Sequence, residues 1–398
     1  MESTKPSIFN RNKVILVALL ALLVCGFSAY RVLGKVEFKK VENGSGNYLH
    51  VDKNHNQKVD TNLTNEFILS SKGNYIRQNA LDILLDIPFS FGTIGCLLLA
   101  MIAMVGRDVG YIWRIRILTK NELSWRSAFR TIMIWEYASA LAPGVMSGAT
   151  VAMFILNRER IKLGRATAIV ITTAFFDNLF FVLMIPVVLC IYQYDLILPT
   201  KAIGIGGTTA FWTGYGMFFL LTIMLFISIF LFPSFMKNVL NGITKISFLK
   251  RWNSKAIETG ENVRTTAIEF KQQPVSFWAK IGLATIASWT SRYLVISFIF
   301  QAFVSLGFAQ HLLLLCKQFV LWMFMRIAPT PGGSGVAEWA FSELLSTFSA
   351  SVVIVGSLAI LWRIIGYFPY LIIGSILLPR WLGTSAQFAD QSQPESKN

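Results

Sequence analysis

The sequence predicts an all-α polytopic membrane protein, and three observations carry this prediction. Of the 398 residues, 54% are hydrophobic and only 14% are charged, whereas about 25% of residues are charged in a soluble domain. Apolar runs of about 20 residues recur along the chain, which is the length that a helix needs to cross a bilayer. Proline and glycine interrupt two further apolar stretches. We therefore expect about six transmembrane helices, two re-entrant helical hairpins and an inverted repeat.

The formal net charge of +15 does not indicate a nucleic-acid-binding protein. The basic residues fall between apolar runs, so we interpret them as topology signals and as contacts with anionic lipids. The four cysteines all lie within apolar runs, and their spacing fits neither a metal site nor a disulfide framework. We expect no cofactor.

The N-terminal part divides into two segments. Residues 1–33 form a cytoplasmic N-terminus and a signal-anchor helix, because the apolar run Val14–Leu33 is long enough to span the membrane. Residues 34–80 are polar, and we expect them to lie outside the cytoplasm.

One stretch of this polar segment resembles a calcium-binding loop. Oxygen-bearing side chains recur at the spacing of the first nine positions of an EF-hand loop. Two positions depart from that pattern: Gln57 replaces the usual glycine, and Leu63 replaces the bidentate acid. A solvated loop without metal is the alternative. The candidate ligands are Asp52, Asn54, Asn56 and Asp60.

Residues 81–378 form the predicted transmembrane domain. The connector Gly106–Arg130 is strongly basic and short, which places it in the cytoplasm. Residues 237–276 form a cytoplasmic amphipathic insert, and residues 379–398 form a cytoplasmic polar tail. The protein is thus expected in a bacterial-type inner membrane with both termini inside. The predicted spans after the signal anchor are 81–105, 166–192, 210–232, 277–300 and 352–378.

Two apolar stretches are broken near their middle. Thr131–Leu156 is interrupted at Ala142–Gly148, which contains Pro143 and Gly148, and His311–Leu345 is interrupted at Ala328–Ala340. Proline lacks the amide donor and glycine disfavours the helix, so neither helix continues through its break. Broken helices in lipid require protein or a water-filled cavity around them, and they mark binding sites in transporters. Tight loops at the membrane surface are the alternative.

Charged side chains in the apolar runs provide candidate ligands for a substrate. Arg292, Arg326 and Arg363 together can hold a phosphate, because guanidinium groups form bidentate hydrogen bonds with it. A half-helix beginning near Ser334 directs its positive end toward the same anion, with Glu338 in its first turn. The alternative is that each arginine only holds helices together, in ion pairs with Glu136, Asp177, Glu338 or Glu343. We expect Lys317 to extend to the membrane surface.

The broken segments resemble a known family. PTPGGSGVAE at Pro329–Glu338 is similar to the PxPGGxGxxE motif of the flippase-like integral membrane family, the transmembrane region of lysylphosphatidylglycerol synthases. APGVMSGAT at Ala142–Thr150 is similar to that family's TPxxxGGxP stretch. Ser147 replaces the first glycine of that stretch, and Thr150 replaces its second proline. Leu361–Arg363 and Asp177 match its last-helix arginine motif and its helix aspartate. The resemblance covers about residues 81–378. It adds to the substrate-binding candidates Pro329, Pro331, Gly332, Gly333, Ser334 and Gly335.

The resemblance implies lipid translocation, or the handling of a lipid-linked head group at the membrane. Its substrate would be an anionic phospholipid or a polyprenyl-phosphate-linked glycolipid, moved between the leaflets of the inner membrane. Lysyl-lipid synthases carry a soluble aminoacyl-transferase domain after the membrane part, whereas this chain ends about 20 residues after Leu378. We therefore expect a separate lipid-modifying enzyme as a partner. Two alternatives stay open: an intramembrane head-group transferase that uses Asp177 and Glu338 as acid and base, and a scaffold that transports nothing.

Overall fold

The computed structural model describes most of the chain. The described residues are 23, 26, 27, 29–55, 57, 59–87, 90–141, 145–198, 200–232, 234, 235, 238, 242, 253–328, 330, 332–349 and 351–390. Most of the predicted signal anchor, the first half of the amphipathic insert and the last eight residues of the tail lie outside them. Four predicted site residues also lie outside, namely Asn56, Pro143, Pro329 and Pro331.

The described transmembrane domain is helical throughout, which confirms the predicted all-α class. A π-helical turn, Ile227–Leu231, extends the seventh helix. The helices are α1 (Ala80–Leu85), α2 (Phe91–Leu118), α3 (Trp125–Leu141), α4 (Val145–Arg158), α5 (Leu163–Ile191), α6 (Tyr194–Ile197), α7 (Thr200–Phe226), α8 (Asn253–Lys271), α9 (Val275–Phe303), α10 (Phe308–Ile327), α11 (Val336–Leu345), α12 (Val352–Gly366) and α13 (Phe368–Asp390).

Six helical segments of the described chain are long and apolar enough to cross a membrane. The number agrees with the prediction, but the set differs. The predicted signal anchor is mostly outside the described residues, and α10, predicted as one arm of a hairpin, takes its place in the count. The six segments are Phe91–Leu118, Leu163–Ile191, Gly204–Leu231, Val275–Phe303, Phe308–Ile327 and Val352–Trp381.

Helix α2 extends 13 residues beyond the predicted end of its span at residue 105. Its N-cap is Ser90, whose side chain accepts a hydrogen bond from the amide of Thr93. Two arginines of the predicted basic connector, Arg107 and Arg114, are therefore buried side chains of a helix and not loop residues. The connector that remains between α2 and α3 is much shorter than predicted.

Helices α2 and α9 pack closely together, and they run antiparallel. A Cβ on Gly106 would lie 3.3 Å from the Ser291 hydroxyl, and a Cβ on Gly110 would collide with the Ser288 hydroxyl. As the residue number rises on α2 it falls on α9, which fixes the opposite direction. Small residues at such a seam allow two backbones to approach closely. Each of these helices precedes one broken hairpin, so their antiparallel packing agrees with the predicted inverted repeat.

Both predicted hairpins consist of two helices around a break. In the first hairpin, α3 has 17 residues and α4 has 14, so neither reaches the roughly 20 residues of a full crossing. In the second, α10 has 20 residues and α11 only 10. Helix geometry makes α11 about 15 Å long, half of a hydrocarbon core. That the hairpins are re-entrant stays a prediction.

The polar segment 34–80 folds into a small antiparallel sheet, which the sequence analysis did not predict. Its strand order is β1-β4-β2-β3, and Phe38 and Phe67 stack in its core with ring centroids 3.9 Å apart. Glu37 accepts a hydrogen bond of 2.8 Å from the amide of Val353, which ties the sheet to the start of α12. The strands are β1 (Val36–Lys40), β2 (Gly46–His50), β3 (Phe67–Gly73) and β4 (Tyr75–Asn79).

Candidate functional site

The two hairpins meet at one cavity of about 280 Å³. The first hairpin contributes Glu136 and Gly148, and the second contributes the turn residues Gly332 and Gly333. The cavity therefore joins the two sequence motifs that lie almost 200 residues apart, as inverted repeats around a central site do. Its charged and aromatic lining residues are Glu136, Arg292, Trp322, Arg326, Trp362, Arg363, Tyr367 and Tyr370.

The turn of the second hairpin depends on glycine. Gly332, Gly333 and Gly335 have φ angles of 57°, 67° and 86°, in the left-handed region that L side chains rarely adopt. A Cβ on Gly332 would also collide with the ring of Tyr367. The hydroxyl of Tyr367 donates to the carbonyl of Ala140 at the end of α3, so this side chain links the two hairpins.

Glu338 closes the first turn of α11. Its carboxylate accepts a 2.6 Å hydrogen bond from the amide of Gly335, so it caps its own helix. The start of this helix was predicted to direct free backbone amides at an anion. Glu338 already accepts from one of these amides, so fewer of them are free to bind an anion than expected. Glu338 is buried, and its charge is balanced from the neighbouring helix.

Arg363 supplies that balance, and its donors are taken by protein acceptors. Its Nε lies 2.8 Å from Glu338 Oε1, its Nη1 donates to the carbonyl of Gly332 at 3.0 Å, and its Nη2 lies 3.5 Å from the Ser334 hydroxyl. The side chain is 3% exposed. Arg363 thus holds the glycine turn in place, although it was predicted to join the other arginines on a phosphate.

Arg326 is in the opposite situation. Its guanidinium lies between the rings of Phe181 and Phe218, at 4.9 and 4.8 Å from their centroids. Its Nη1 is buried and makes no hydrogen bond to any residue in the described part of the chain. A buried charged donor without an acceptor is costly unless a ligand supplies one.

Arg292 also faces the cavity with little compensation. Its nearest carboxylate is Glu136, at 3.7 Å, which is too long for a hydrogen bond. The guanidinium lies over the rings of Trp322 and Trp289, at 4.5 and 5.0 Å. The indole nitrogen of Trp322 is a second buried donor that has no partner among the described residues. Donors without acceptors thus cluster on one wall.

Behind this wall, Glu136 belongs to an ion network that sequence reasoning missed. Arg107 on α2 lies 2.5 Å from Glu136 and 3.0 Å from Asp108. Tyr370 donates to Asp108, and the guanidinium of Arg107 stacks between Tyr370 and Tyr111 at 4.8 Å from each ring. In this part of the network each charge lies within 3.0 Å of an opposite charge, whereas the Nε of Arg107 makes no hydrogen bond to any described residue.

Asp177 lies apart from the main cavity. It binds Arg114 through two contacts of 2.6 and 3.2 Å and accepts from the indole of Trp289 at 2.9 Å. Both Asp177 and Arg114 line a second cavity of about 90 Å³, which shares Glu136 with the first. The predicted acid and base, Asp177 and Glu338, are therefore held in separate ion pairs with different arginines.

The structure brings most predicted site residues to one place. Gly148, Arg292, Arg326, Gly332, Gly333 and Arg363 line the main cavity, and Ser334, Gly335 and Glu338 form the turn behind it. Arg107, Asp108 and Tyr370 were not predicted as site residues, and Glu136 was expected only as an ion-pair partner. The spacing of Arg107, Tyr111 and Arg114, at intervals of four and three, was a usable signal of one helical face.

The described calcium-loop candidates and Lys317 are all bound to groups within the protein. Asn54 donates to Asp60 and Asp52 accepts from the Gln57 amide, so these side chains already bind within their loop. The described residues contain no cluster of three or more His, Cys, Asp and Glu that could hold a metal. Lys317 does not extend to the surface: it is 1% exposed, and its ammonium donates to the carbonyl of Leu344 at the end of α11.

Comparison with known proteins agrees with this architecture. The chain is 24% identical over 284 residues to a UPF0104 membrane protein of Archaeoglobus fulgidus, an alignment that covers 67% of this chain and 80% of the relative. No solved structure matches the chain. The family described as the lysylphosphatidylglycerol synthase TM region matches residues 83–374, which include both hairpins and every helix that lines the cavity. The chain therefore belongs to the family of the lysylphosphatidylglycerol synthase transmembrane region.

Proposed function

We propose that the protein binds the phosphate of an anionic lipid in the main cavity and moves that lipid between the two leaflets. The observation that carries the proposal is the pair Arg292 and Arg326, two guanidinium groups that face one cavity without a carboxylate at hydrogen-bonding distance. Guanidinium groups match the geometry of phosphate oxygens, and charged residues inside a membrane domain usually serve function.

The charge balance supports an anionic ligand. The described network contains the arginines at 107, 114, 292, 326 and 363 against the carboxylates at 108, 136, 177 and 338, so one positive charge is in excess. Burying a charge without a counter-ion is costly, and an anionic ligand would supply one to Arg326, which has no ion pair within the described part of the chain. The unpartnered donors of Arg326 and Trp322 require an acceptor, which phosphate oxygens provide.

The cavity volume limits what can enter. At about 280 Å³ the cavity is at the lower end of the range for small-molecule sites, so it suits a head group and leaves the lipid chains outside. The surfaces of α2 and α7 expose many large apolar side chains, which can contact those chains in the bilayer. Either an anionic phospholipid or a polyprenyl phosphate fits this division.

The convergence of the two hairpins on one cavity supports movement as well as binding. Transporters built from inverted repeats expose a central site to alternate sides by rocking or gating of one repeat against the other. We place the protein in the inner membrane with both termini in the cytoplasm. A separate enzyme that modifies the translocated lipid is the partner that such a function would serve.

Leaflet exchange in proteoliposomes tests the proposal. Fluorescent phosphatidylglycerol, phosphatidylcholine and a short polyprenyl phosphate would be compared by the rate at which a membrane-impermeant reductant bleaches them. We expect faster exchange of an anionic lipid than of the zwitterionic one, and its loss in Arg326→Gln. Arg264→Gln is the matched control, because Arg264 forms an exposed ion pair with Glu261 on α8.

Equal exchange of all lipids, or an Arg326→Gln variant as active as the wild type, would contradict the proposal. The transferase alternative gains no support from the geometry, because Asp177 and Glu338 are bound to different arginines. A scaffold that transports nothing predicts no exchange above that of empty vesicles.

A further inference from the structure

Glu136 occupies a position that no other described carboxylate shares. It is the one acidic residue among the described residues that line the main cavity, and it also lines the smaller cavity beside Asp177. Its Oε2 lies between two guanidinium groups, 2.5 Å from Arg107 and 3.7 Å from Arg292. The contact with Arg107 is tight and the contact with Arg292 is loose.

We propose that Glu136 takes up a proton when an anionic head group binds Arg292, so that one proton crosses the membrane with each anion. The inference rests on the proposed function and adds the source of energy for it. The step balances simply: the carboxylate gains one proton and becomes a neutral carboxylic acid, and the reverse occurs when the anion leaves.

A bound anion and Glu136 would compete for Arg292. In the empty site Arg292 faces Glu136, and an anion that binds Arg292 must approach the same wall. Two negative charges a few ångströms apart in a site shielded from water repel strongly, and a carboxyl beside a second anion favours its protonated form. Protonation of Glu136 removes this repulsion and releases Arg292 to the ligand.

The other carboxylates do not compete in this way. Asp108 contacts Arg107 and the Tyr370 hydroxyl, Asp177 contacts Arg114 and the Trp289 indole, and neither carboxylate lines the main cavity. Glu136 is thus the carboxylate whose surroundings change most on binding. The charged and titratable groups that face it from the neighbouring helices are Arg107, Asp108, Tyr111, Arg114, Asp177, Arg292 and Tyr370.

The second cavity provides space for water beside Glu136. At about 90 Å³ it has room for water molecules, each of which takes about 30 Å³ in the liquid. Its wall includes the hydroxyl of Thr173, a buried group with no hydrogen-bond partner in the described part of the chain. Water in this cavity would lie beside Glu136 and away from Arg292, which does not line it.

Coupled exchange of a monoanion and a proton is electrically neutral, which makes the inference testable. Proteoliposomes with fluorescent phosphatidylglycerol would receive either a pH gradient or a potassium-valinomycin membrane potential. We expect the wild type to respond to the pH gradient, with about tenfold lipid accumulation per pH unit at equilibrium, and to ignore the potential. In Glu136→Gln the response should reverse: the potential drives the lipid and the pH gradient does not.

Controls separate the possible failures. Glu136→Asp keeps a titratable carboxyl and should keep the response to pH, and Glu343→Gln on α11, which is away from the cavity, should behave like the wild type. Wild-type exchange that follows the potential and ignores the pH gradient overturns the proton coupling but leaves the proposed function intact. No exchange of any anionic lipid overturns the proposed function itself. The wild type alone shows whether exchange follows the pH gradient or the membrane potential. A Glu136→Gln variant that fails to fold therefore does not prevent the test.

Discussion

Arg292, Arg326 and Arg363 have the same side chain but three different environments in this protein. Arg363 is surrounded by acceptors, Arg292 has one loose carboxylate, and Arg326 has aromatic rings and an unsatisfied donor. A buried arginine whose donors are all used supports structure, whereas one with spare donors is available to a ligand. The three residues should therefore respond differently to substitution.

Replacing Arg363 should destabilise the protein far more than replacing Arg326. Arg363→Met leaves Glu338 buried and unpaired, which costs about 3–5 kcal/mol for a buried ion pair that loses one partner. Arg326→Met removes a charge that has no ion-pair partner among the described residues, so its effect should be small. Thermal unfolding in detergent, followed by tryptophan fluorescence, measures the difference.

The double variant Arg363→Met/Glu338→Gln provides the control. Glutamine can still accept from the Gly335 amide but carries no charge, so much of the lost stability should return. Equal losses for Arg363→Met and Arg326→Met would contradict the assignment of structural and ligand-binding roles.

Sequence alone could identify these arginines but could not rank them. Each lies in an apolar run, and that fact predicts an interior position. Whether an arginine supports structure or binds a ligand depends on which hydrogen-bond acceptors other segments place beside it, such as Gly332 and Glu338 beside Arg363. No spacing rule within one helix contains that information. Arg107 was missed for a related reason, because a cluster of basic residues resembled a loop and concealed the continuation of α2.

At the scale of elements, the turn before α11 determines the shape of the cavity wall. Three glycines with positive φ reverse the chain within a few residues, and Glu338 and Lys317 stabilise the two ends of the short helix that follows. A ten-residue helix is marginal without such support. The motif of proline and glycine predicted the break, but the buried lysine at the other end of α11 could not be foreseen.

Gly332→Ala should destabilise this turn. The left-handed conformation costs about 1–2 kcal/mol for a residue with a Cβ, and the added atom would meet the Tyr367 ring. Gly206→Ala in α7 is the matched control, because a Cβ there meets nothing within 4 Å and alanine favours a helix. Equal melting temperatures for the two variants would show that the turn does not need its glycine.

The seam between α2 and α9 gives a second prediction at this scale. Gly110→Val places a branched side chain against the Ser288 hydroxyl and the Ala284 carbonyl, so the two helices must separate. Gly95→Val on the same helix meets no neighbour within 4 Å and serves as the control for the intrinsic cost of valine. We expect a lower melting temperature only for Gly110→Val. A comparable loss in both variants would mean that helix propensity, and not the seam, decides the result.

At the scale of the whole molecule, the fold class could be predicted from the composition and from the length of the apolar runs. The four-stranded sheet of residues 34–80 could not. The strands β1, β2 and β4 have only five residues each, and their mixed polar sequences resemble loops. They form a sheet because Phe38, Phe67 and Tyr75 assemble a small aromatic core between them. Tertiary packing of this kind overrides local sequence preference.

Orientation is the whole-molecule property that we predict from charge. If the N-terminus is cytoplasmic, the sheet lies outside and α8 lies inside. In a variant without native cysteines, Leu69→Cys on β3 should react with an impermeant maleimide in intact cells, because Leu69 is 78% exposed. Ile257→Cys on α8 should react only after permeabilisation. The reverse pattern would invert the predicted topology.

The most direct test of the central claim is a structure of the protein in nanodiscs with an added anionic phospholipid. We predict that the lipid phosphate lies in the main cavity, within about 3 Å of the guanidinium nitrogens of both Arg292 and Arg326. Arg363 should keep its contacts with Glu338 and Gly332. A phosphate bound elsewhere, or a main cavity that stays empty at saturating lipid, would contradict the assignment of this cavity as the lipid head-group site.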